Sequence, residues 1–256
     1  MNRKPIFDAV RVLLGRGFTQ AEVELLDRAI DGAIDGAEAP APAHRLGALS
    51  EQFESGGRGP GAVSSGVDDA GGVSYGIWQL SSRAGTVAAF LAAEGGRWQA
   101  AFAGLGPGTT AFTAAWKAIA AREPDTFVAA QHAFIERTHY RPAVAAVRQR
   151  TGFDLDARHP AVRDATWSVA VQHGGAVTVL AAGVDKADRA SARADAGYDR
   201  ALVAAIYAER GDYVLRVAAR VGLGSAQGRV LQAIVRNRYP AERAAALAMF
   251  DDPGPA

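Results

Sequence analysis

FESGGRGPGAVSSGVDDAGGVSYGIWQLSS, residues 53–82, is the stretch on which the architecture turns. Between Gly56 and Gly72, seven of seventeen residues are glycine, joined by Pro60, Ser64, Ser65, Asp68 and Asp69. Ordering glycine costs more backbone entropy than ordering any other residue, and no regular helix survives that composition. Val63 and the run Val73 to Ile77 supply apolar residues for a short hairpin around the turn residues. Just upstream, Leu46, Leu49 and Phe53 share one side of a helix that closes at Glu54-Ser55. Downstream of Arg83, apolar residues recur at three- and four-residue spacing near 83–94, 110–121, 124–139, 141–150, 160–173, 198–209, 212–221 and 226–248. Breaks such as GLGPG, REPD, RTGFD and DARHP separate them. These helices do not alternate with strands, which disfavours a parallel α/β fold. The expected class is mostly α, with one small glycine-rich β-hairpin beside the helix that ends at Glu54.

The first 36 residues read as two further helices. Phe7, Val10, Leu13 and Leu14 share a face, and Gly15 and Gly17 end that element. Thr19 with Glu22 matches a capping box, ahead of an apolar stripe of Val23, Leu25, Leu26, Ile30 and Ile34. AEAPAPAHR, residues 37–45, alternates Ala with Pro and favours an extended linker. The expected division is therefore 1–40, a helical segment that docks or binds a wall, and 41–256, the domain that carries the hairpin.

Composition excludes several classes. The chain has 256 residues, 28 Lys+Arg against 27 Asp+Glu, a net charge of +1 and 49% apolar residues. That apolar share rules out wholesale disorder. The absence of cysteine rules out disulfides, thiol nucleophiles and Cys-ligated zinc. Near-zero net charge argues against nucleic acid as a partner. No apolar run has the length of a membrane span. The N-terminal run is cut by Asp8 and Arg11 with no small-residue cleavage site, so the expectation is synthesis in a cytoplasm without a Sec signal peptide, and action in the periplasm or cell wall after release.

The glycine-rich loop is where chemistry is expected, because long structured loops in compact domains are usually functional. Glu54 follows Phe53 at the end of an apolar helix, where desolvation raises a carboxyl pKa. Asp68 and Asp69 lie in a polar turn that keeps a carboxylate ionised. Two carboxylates with those opposite tendencies are what glycoside hydrolysis requires. Tyr75, Trp78 and Gln79 fit an aromatic and amide wall for a sugar. The same residues also fit a plain helix end and an ordinary Asp turn. Gln172 and His173 sit in the last turn of a helical run closed by Gly174-Gly175, where a helix terminus and its dipole are the favoured explanation for His173. No His-x-x-x-His pair, no alternating-Asp calcium loop, no Gly-x-Ser-x-Gly elbow and no phosphate loop is present, so no metal and no cofactor is expected. Arg216, Arg220, Arg229, Arg236, Arg238 and Arg243 read as a solvated helical face, or as the source of a weak attraction to an anionic envelope.

The ordered set Glu54-Ser55, the Asp68-Asp69 loop and Gly76-Ile77-Trp78-Gln79 resembles the active-site stretch of the lysozyme-like superfamily. It is similar to goose-type lysozymes, soluble lytic transglycosylases and phage or prophage endolysins. The resemblance implies a lysozyme-like α+β fold and a monomeric muramidase that cleaves the β-1,4 bonds of peptidoglycan glycan strands. Glu54 would be the general acid, Asp69 or Asp68 would activate water, and Ser55, Tyr75, Trp78 and Gln79 would hold the glycan, with Gln172 and His173 near the cleft. The chain departs from the goose type at Ser81, where a further Asp is usual, which leaves the identity of the base open. The alternatives are a lytic transglycosylase on the same bond, a chitosanase-like glycosidase, or a non-catalytic wall-binding or structural protein on the same scaffold.

Overall fold

A helix needs its first N–H groups satisfied, and the first helix of the core finds its acceptor far along the chain. In the computed structural model, α1 (Ala48–Glu54) begins after Gly47, and the N–H groups of Gly47 and Leu49 donate to the two carboxylate oxygens of Asp164 at 2.8 and 3.0 Å. The described residues are 19, 23, 45–54, 59–66, 71–172 and 174–251, with Glu54 described by its backbone. The chain divides into a unit of Met1–Ala43 with Pro253–Ala256, and a unit of His44–Asp252. In the first, the Val23 N–H donates to the Thr19 carbonyl at 3.1 Å; the rest of the helical segment expected over 1–40 lies outside the described residues.

In the second unit, β1 (Ser74–Tyr75) pairs antiparallel with β2 (Leu80–Ser81) in the register Ser74 to Ser81 and Tyr75 to Leu80. A third arm, Ala62–Ser64, runs alongside. Val63 bridges Tyr75, the Gly76 N–H donates to the Ala62 carbonyl at 2.7 Å, and the Ser64 N–H donates to the Ser74 carbonyl at 2.9 Å. Helix follows almost without interruption: α2 (Thr86–Leu91), a 3₁₀ segment (Gly96–Phe102), α3 (Thr110–Arg122), α4 (Pro124–Ile135), a π turn (Glu136–Tyr140), α5 (Arg141–Thr151), α6 (Pro160–Gln172), α7 (Ala176–Ala190), α8 (Tyr198–Val221), α9 (Ala226–Ala233), a second π turn (Ile234–Arg238) and α10 (Tyr239–Ala248). Thr109 and Ser225 cap α3 and α9 through their hydroxyls, and Gly152 in the left-handed region at φ +67° ends α5. The mostly α class with one small hairpin holds.

Local readings differ from the structure at three places. The hairpin pairs 74–75 with 80–81, and Val63 joins from outside as a bridge. The expected break at Arg210-Gly211 is absent, because α8 runs through it with both residues buried in the helix body. The expected helices omit α7, although its buried Val179, Leu180, Val184 and Ala187 recur at helical spacing around a mid-helix Gly183. That glycine is what lets α7 lie against α8: a Cβ there would sit 2.8 Å from an Ile206 side-chain carbon.

Two apolar clusters form among the described residues. One is aromatic and lies under the hairpin, built from Tyr75, Trp78, Phe90, Phe112, Trp116 and Phe127 with others. The second is aliphatic and is built on α5 to α8 and α10 around Val147, Leu180, Leu202 and Ile206. Helix α6 joins them: Trp167 belongs to the aromatic cluster, while Val162, Ala165 and Val169 belong to the aliphatic one. An unbroken buried run from Asp164 to Ala170 marks α6 as the central helix.

Candidate functional site

The described part of helix α1 runs to Glu54. Ser55, Asp68, Asp69 and His173 lie outside the described residues, as does the Glu54 side chain. What the structure does show is the frame that holds the helix end and the hairpin.

Gly47 enters α1 at φ +82°, a region that side-chain-bearing residues rarely adopt. A Cβ at Gly47 would stand 2.7 Å from the Trp167 ring. The Trp167 indole is fully buried and stacks on the His132 ring at 4.5 Å and 16°. His132 Nε2 lies 2.6 Å from the Leu46 carbonyl oxygen, just ahead of Gly47. Trp78, from the hairpin turn, packs on Trp167 with ring centroids 5.2 Å apart. The start of α1 is thus wedged between α4, α6 and the hairpin, with Asp164 as its cap. Replacing Gly47 by alanine is expected to cost about 1–2 kcal/mol from the left-handed backbone and about 1–3 kcal/mol more from overpacking. A chemical-denaturation curve checks this, and a loss under about 1 kcal/mol contradicts the wedge.

The hairpin is held from beneath by Gln131, which is fully buried on α4. Its Oε1 accepts from the Ile77 N–H at 3.1 Å and its Nε2 donates to the Pro60 carbonyl at 3.2 Å. Trp116 Nε1 donates to the same carbonyl at 2.9 Å. Gly76, at φ +77°, makes room for that amide, since a Cβ there would fall 2.2 Å from Gln131 Oε1.

Tyr75 and Trp78 turn inward. Tyr75 is wholly buried; its hydroxyl accepts from the Gly108 N–H at 3.0 Å and shares a hydrogen bond with Thr113 Oγ1 at 2.9 Å. Trp78 is 5% exposed. Both rings hold the hairpin to the aromatic core and offer no open face to a ligand. Gln79 is half-buried and sits at φ +54°, the one non-glycine with positive φ among the described residues. Its Nε2 donates back to the Gly76 carbonyl at 3.1 Å. Such backbone strain costs roughly 1–3 kcal/mol and concentrates at functional turns. Three buried atoms near α1 and its supports, Ser50 Oγ, Trp78 Nε1 and Trp167 Nε1, have no hydrogen-bond partner among the described residues.

Gln172 belongs to a separate polar core. Its Oε1 accepts from the Tyr239 hydroxyl at 3.1 Å and from Arg210 Nη2. Arg210 and Glu242 are fully buried and paired at 3.2 Å, and Arg210 Nη2 also donates to the Ser168 carbonyl at 3.2 Å. Glu242 accepts further from the Ser168 hydroxyl, from Tyr207 at 3.2 Å and from Arg238 at 3.1 Å. Burial pushes the Glu242 carboxyl up, but Arg210, the Ser168 hydroxyl and Arg238 outweigh it and hold it below the ordinary glutamate value. Burial and the Glu242 charge push the Tyr207 phenol well above its usual value. Gln172 thus spends its acceptor inside the fold.

Asp164, Gln131 and the Arg210–Glu242 pair escape a reading of the sequence. The one local signal was α6 itself, whose apolar residues leave no solvent face for Asp164. Among the described residues, no group of three or more His, Asp or Glu side chains could hold a metal ion, and no helix is long and apolar enough to cross a membrane.

Residues 46–238 match the family described as type VI secretion system spike protein VgrG3-like, C-terminal. The type VI secretion system spike protein VgrG3 of Vibrio cholerae serotype O1 (strain ATCC 39315 / El Tor Inaba N16961) is 41% identical over 135 residues, which cover 53% of this chain and 13% of that protein. The chain therefore matches only a small part of the curated relative's length. These matches overturn the phage-endolysin resemblance and, with it, the main functional expectation of a host-lysing muramidase. The expectation of a monomer acting alone on peptidoglycan strands, with a weak pull toward an anionic envelope, falls with them, since the relatives are parts of a secretion spike. With the matched region running from the wedge before α1, through the hairpin and the central helix, to the second π turn, the chain belongs to the family of type VI secretion system spike protein VgrG3-like C-terminal domains.

Proposed function

We propose that this chain serves as the C-terminal domain of a type VI secretion spike and is exported as part of it. The observation that carries this reading is the family match over 46–238, which takes in nearly the whole unit His44–Asp252. The matched residues take in the aromatic cluster, nearly all of the aliphatic one and the α6 helix that joins them, so the likeness covers the body of the unit and not an isolated motif. The test is a tagged chain in its producing cell. Tagged protein is expected in the medium when the secretion apparatus is intact and absent when the apparatus is inactivated. Equal release from both strains contradicts the proposal.

A second reading is that the domain is also a glycoside hydrolase. It is supported by Gln79, held in a strained left-handed turn beside Trp78, which packs through Trp167 onto the start of the helix that carries Glu54. On this reading Glu54 donates a proton to the leaving oxygen and a loop aspartate, Asp69 or Asp68, assists water. The substitution Glu54→Gln tests it, with loss of turnover at an unchanged melting temperature as the expected outcome.

A further inference from the structure

The solvent side of the C-terminal helices differs from the rest of the surface in two independent ways. The first is apolar exposure. Among the described residues, Leu215, Val221, Leu223 and Val230 are the exposed large hydrophobic ones, at 41%, 38%, 53% and 57%. They lie on the second half of α8, the turn after it, and α9. That turn is tied to α9, because Gln232 Nε2 donates to the Leu223 carbonyl at 2.9 Å and Ser225 caps the helix. Leu215 also lines an open groove of about 280 Å³ together with Val235, Tyr239 and Pro240, and the charged residues of its lining are Asp212 and Arg243. Isolated exposed apolar residues need no explanation, but these four fall within residues 215–230 and one of them lines a groove, which is the pattern of an interaction site.

The second is charge. Between residues 212 and 243 the exposed charged side chains are five arginines, Arg216, Arg220, Arg229, Arg236 and Arg243, against the single aspartate Asp212. The whole chain carries a net charge of only +1, so this face is a local positive field. Several exposed arginines elsewhere sit on carboxylates, as in Arg137–Glu94, Arg141–Glu136 and Arg122–Glu123, whereas no carboxylate partner lies beside Arg216, Arg220 or Arg243 among the described residues. Arginines around an apolar centre are the composition of a protein interface, and complementary charge then sets partner choice and association rate.

We propose that this face is a docking surface for an acidic protein partner, whose apolar side chains enter the groove beside Leu215 while its carboxylates meet Arg216, Arg220 and Arg243. Nucleic acid fits less well, because phosphate contacts need no apolar centre. A lipid surface also fits less well: interfacial helices insert large residues such as Trp and Phe, and the exposed large hydrophobics here include no aromatic residue.

The test titrates the full chain with a synthetic amphipathic helix that carries leucines at helical spacing and glutamates elsewhere, followed by NMR shifts or fluorescence anisotropy. Binding is expected, weakened about tenfold or more by the combined Arg216→Glu, Arg220→Glu and Arg243→Glu substitutions and separately by Leu215→Asp, each at an unchanged melting temperature. Rising salt should weaken it further. The proposal is overturned if the glutamate helix fails to bind, or if a lysine version binds equally well. It is likewise overturned if vesicles containing phosphatidylserine or duplex DNA bind through the same residues while the helix does not, or if the face proves to be covered by a second copy of the chain in light-scattering measurements. None of these outcomes depends on the export assay.

Discussion

Replacing Glu242 by alanine is expected to lower the unfolding free energy by about 3–5 kcal/mol, because it strands a buried guanidinium. Arg210 is fully buried; its hydrogen bonds to the Ser168 carbonyl and to Gln172 would survive, but its counter-charge would not. At about 2–4 °C per kcal/mol for a domain of this size, the melting temperature should fall by roughly 6–20 °C. A double variant, Arg210→Met with Glu242→Leu, should recover much of the loss, since it removes both charges together. A single-variant loss below about 1 kcal/mol would show that the pair does not hold α6, α8 and α10 together. The pair also sets an acid limit. The Glu242 carboxyl is held below the ordinary value of 4.5, so its contribution is fully present above that pH and is lost as the pH falls through the lower folded value. Wild-type stability should therefore drop below about pH 4.5, and Glu242→Gln should flatten that part of the curve.

Glu54→Gln is the second large effect, and it tests the hydrolase reading. If Glu54 is the proton donor, the amide should abolish turnover by about 10²–10⁴-fold, the usual worth of general acid catalysis. Reducing ends released from a panel of β-1,4-linked amino-sugar polymers provide the readout, with thermal unfolding as the control. Loss of activity at an unchanged melting temperature supports the role. Activity within about threefold of wild type contradicts it, and so does a wild-type chain that cleaves no member of the panel. Neither result bears on export with the spike, so the two readings stand or fall separately.

The helix that carries Glu54 could be read because its cause is local: Leu46, Leu49 and Phe53 fall on one face and a glycine run follows. The choice of Tyr75 and Trp78 as a sugar platform rested on residue type, and type does not say which way a ring faces. Gly76 admits the Gln131 amide beneath the hairpin, and Tyr75 and Trp78 then close over an aromatic core formed by Phe112, Trp116 and Trp167. Gln172 reads as a helix-end amide, yet its partners Arg210 and Tyr239 come from two helices further along the chain. The family resemblance rested on about thirty residues, whereas the match that corrects it spans 46–238.

Periodicity, glycine density and capping residues act among neighbours within one helical turn, so the amino-acid order alone settles the mostly helical class and places a helix over Leu49 and Phe53 ahead of a small hairpin. Burial and polar pairing depend on which distant segments meet. Asp164 caps a helix 117 residues away from it, and Ser168 meets Glu242 across 74 residues. No window along the chain contains both partners. The folded core therefore decides that Asp164 is a cap, that Gly183 is a contact point between α7 and α8, and that Tyr75 and Trp78 face inward, because each follows from packing against residues the local pattern cannot see.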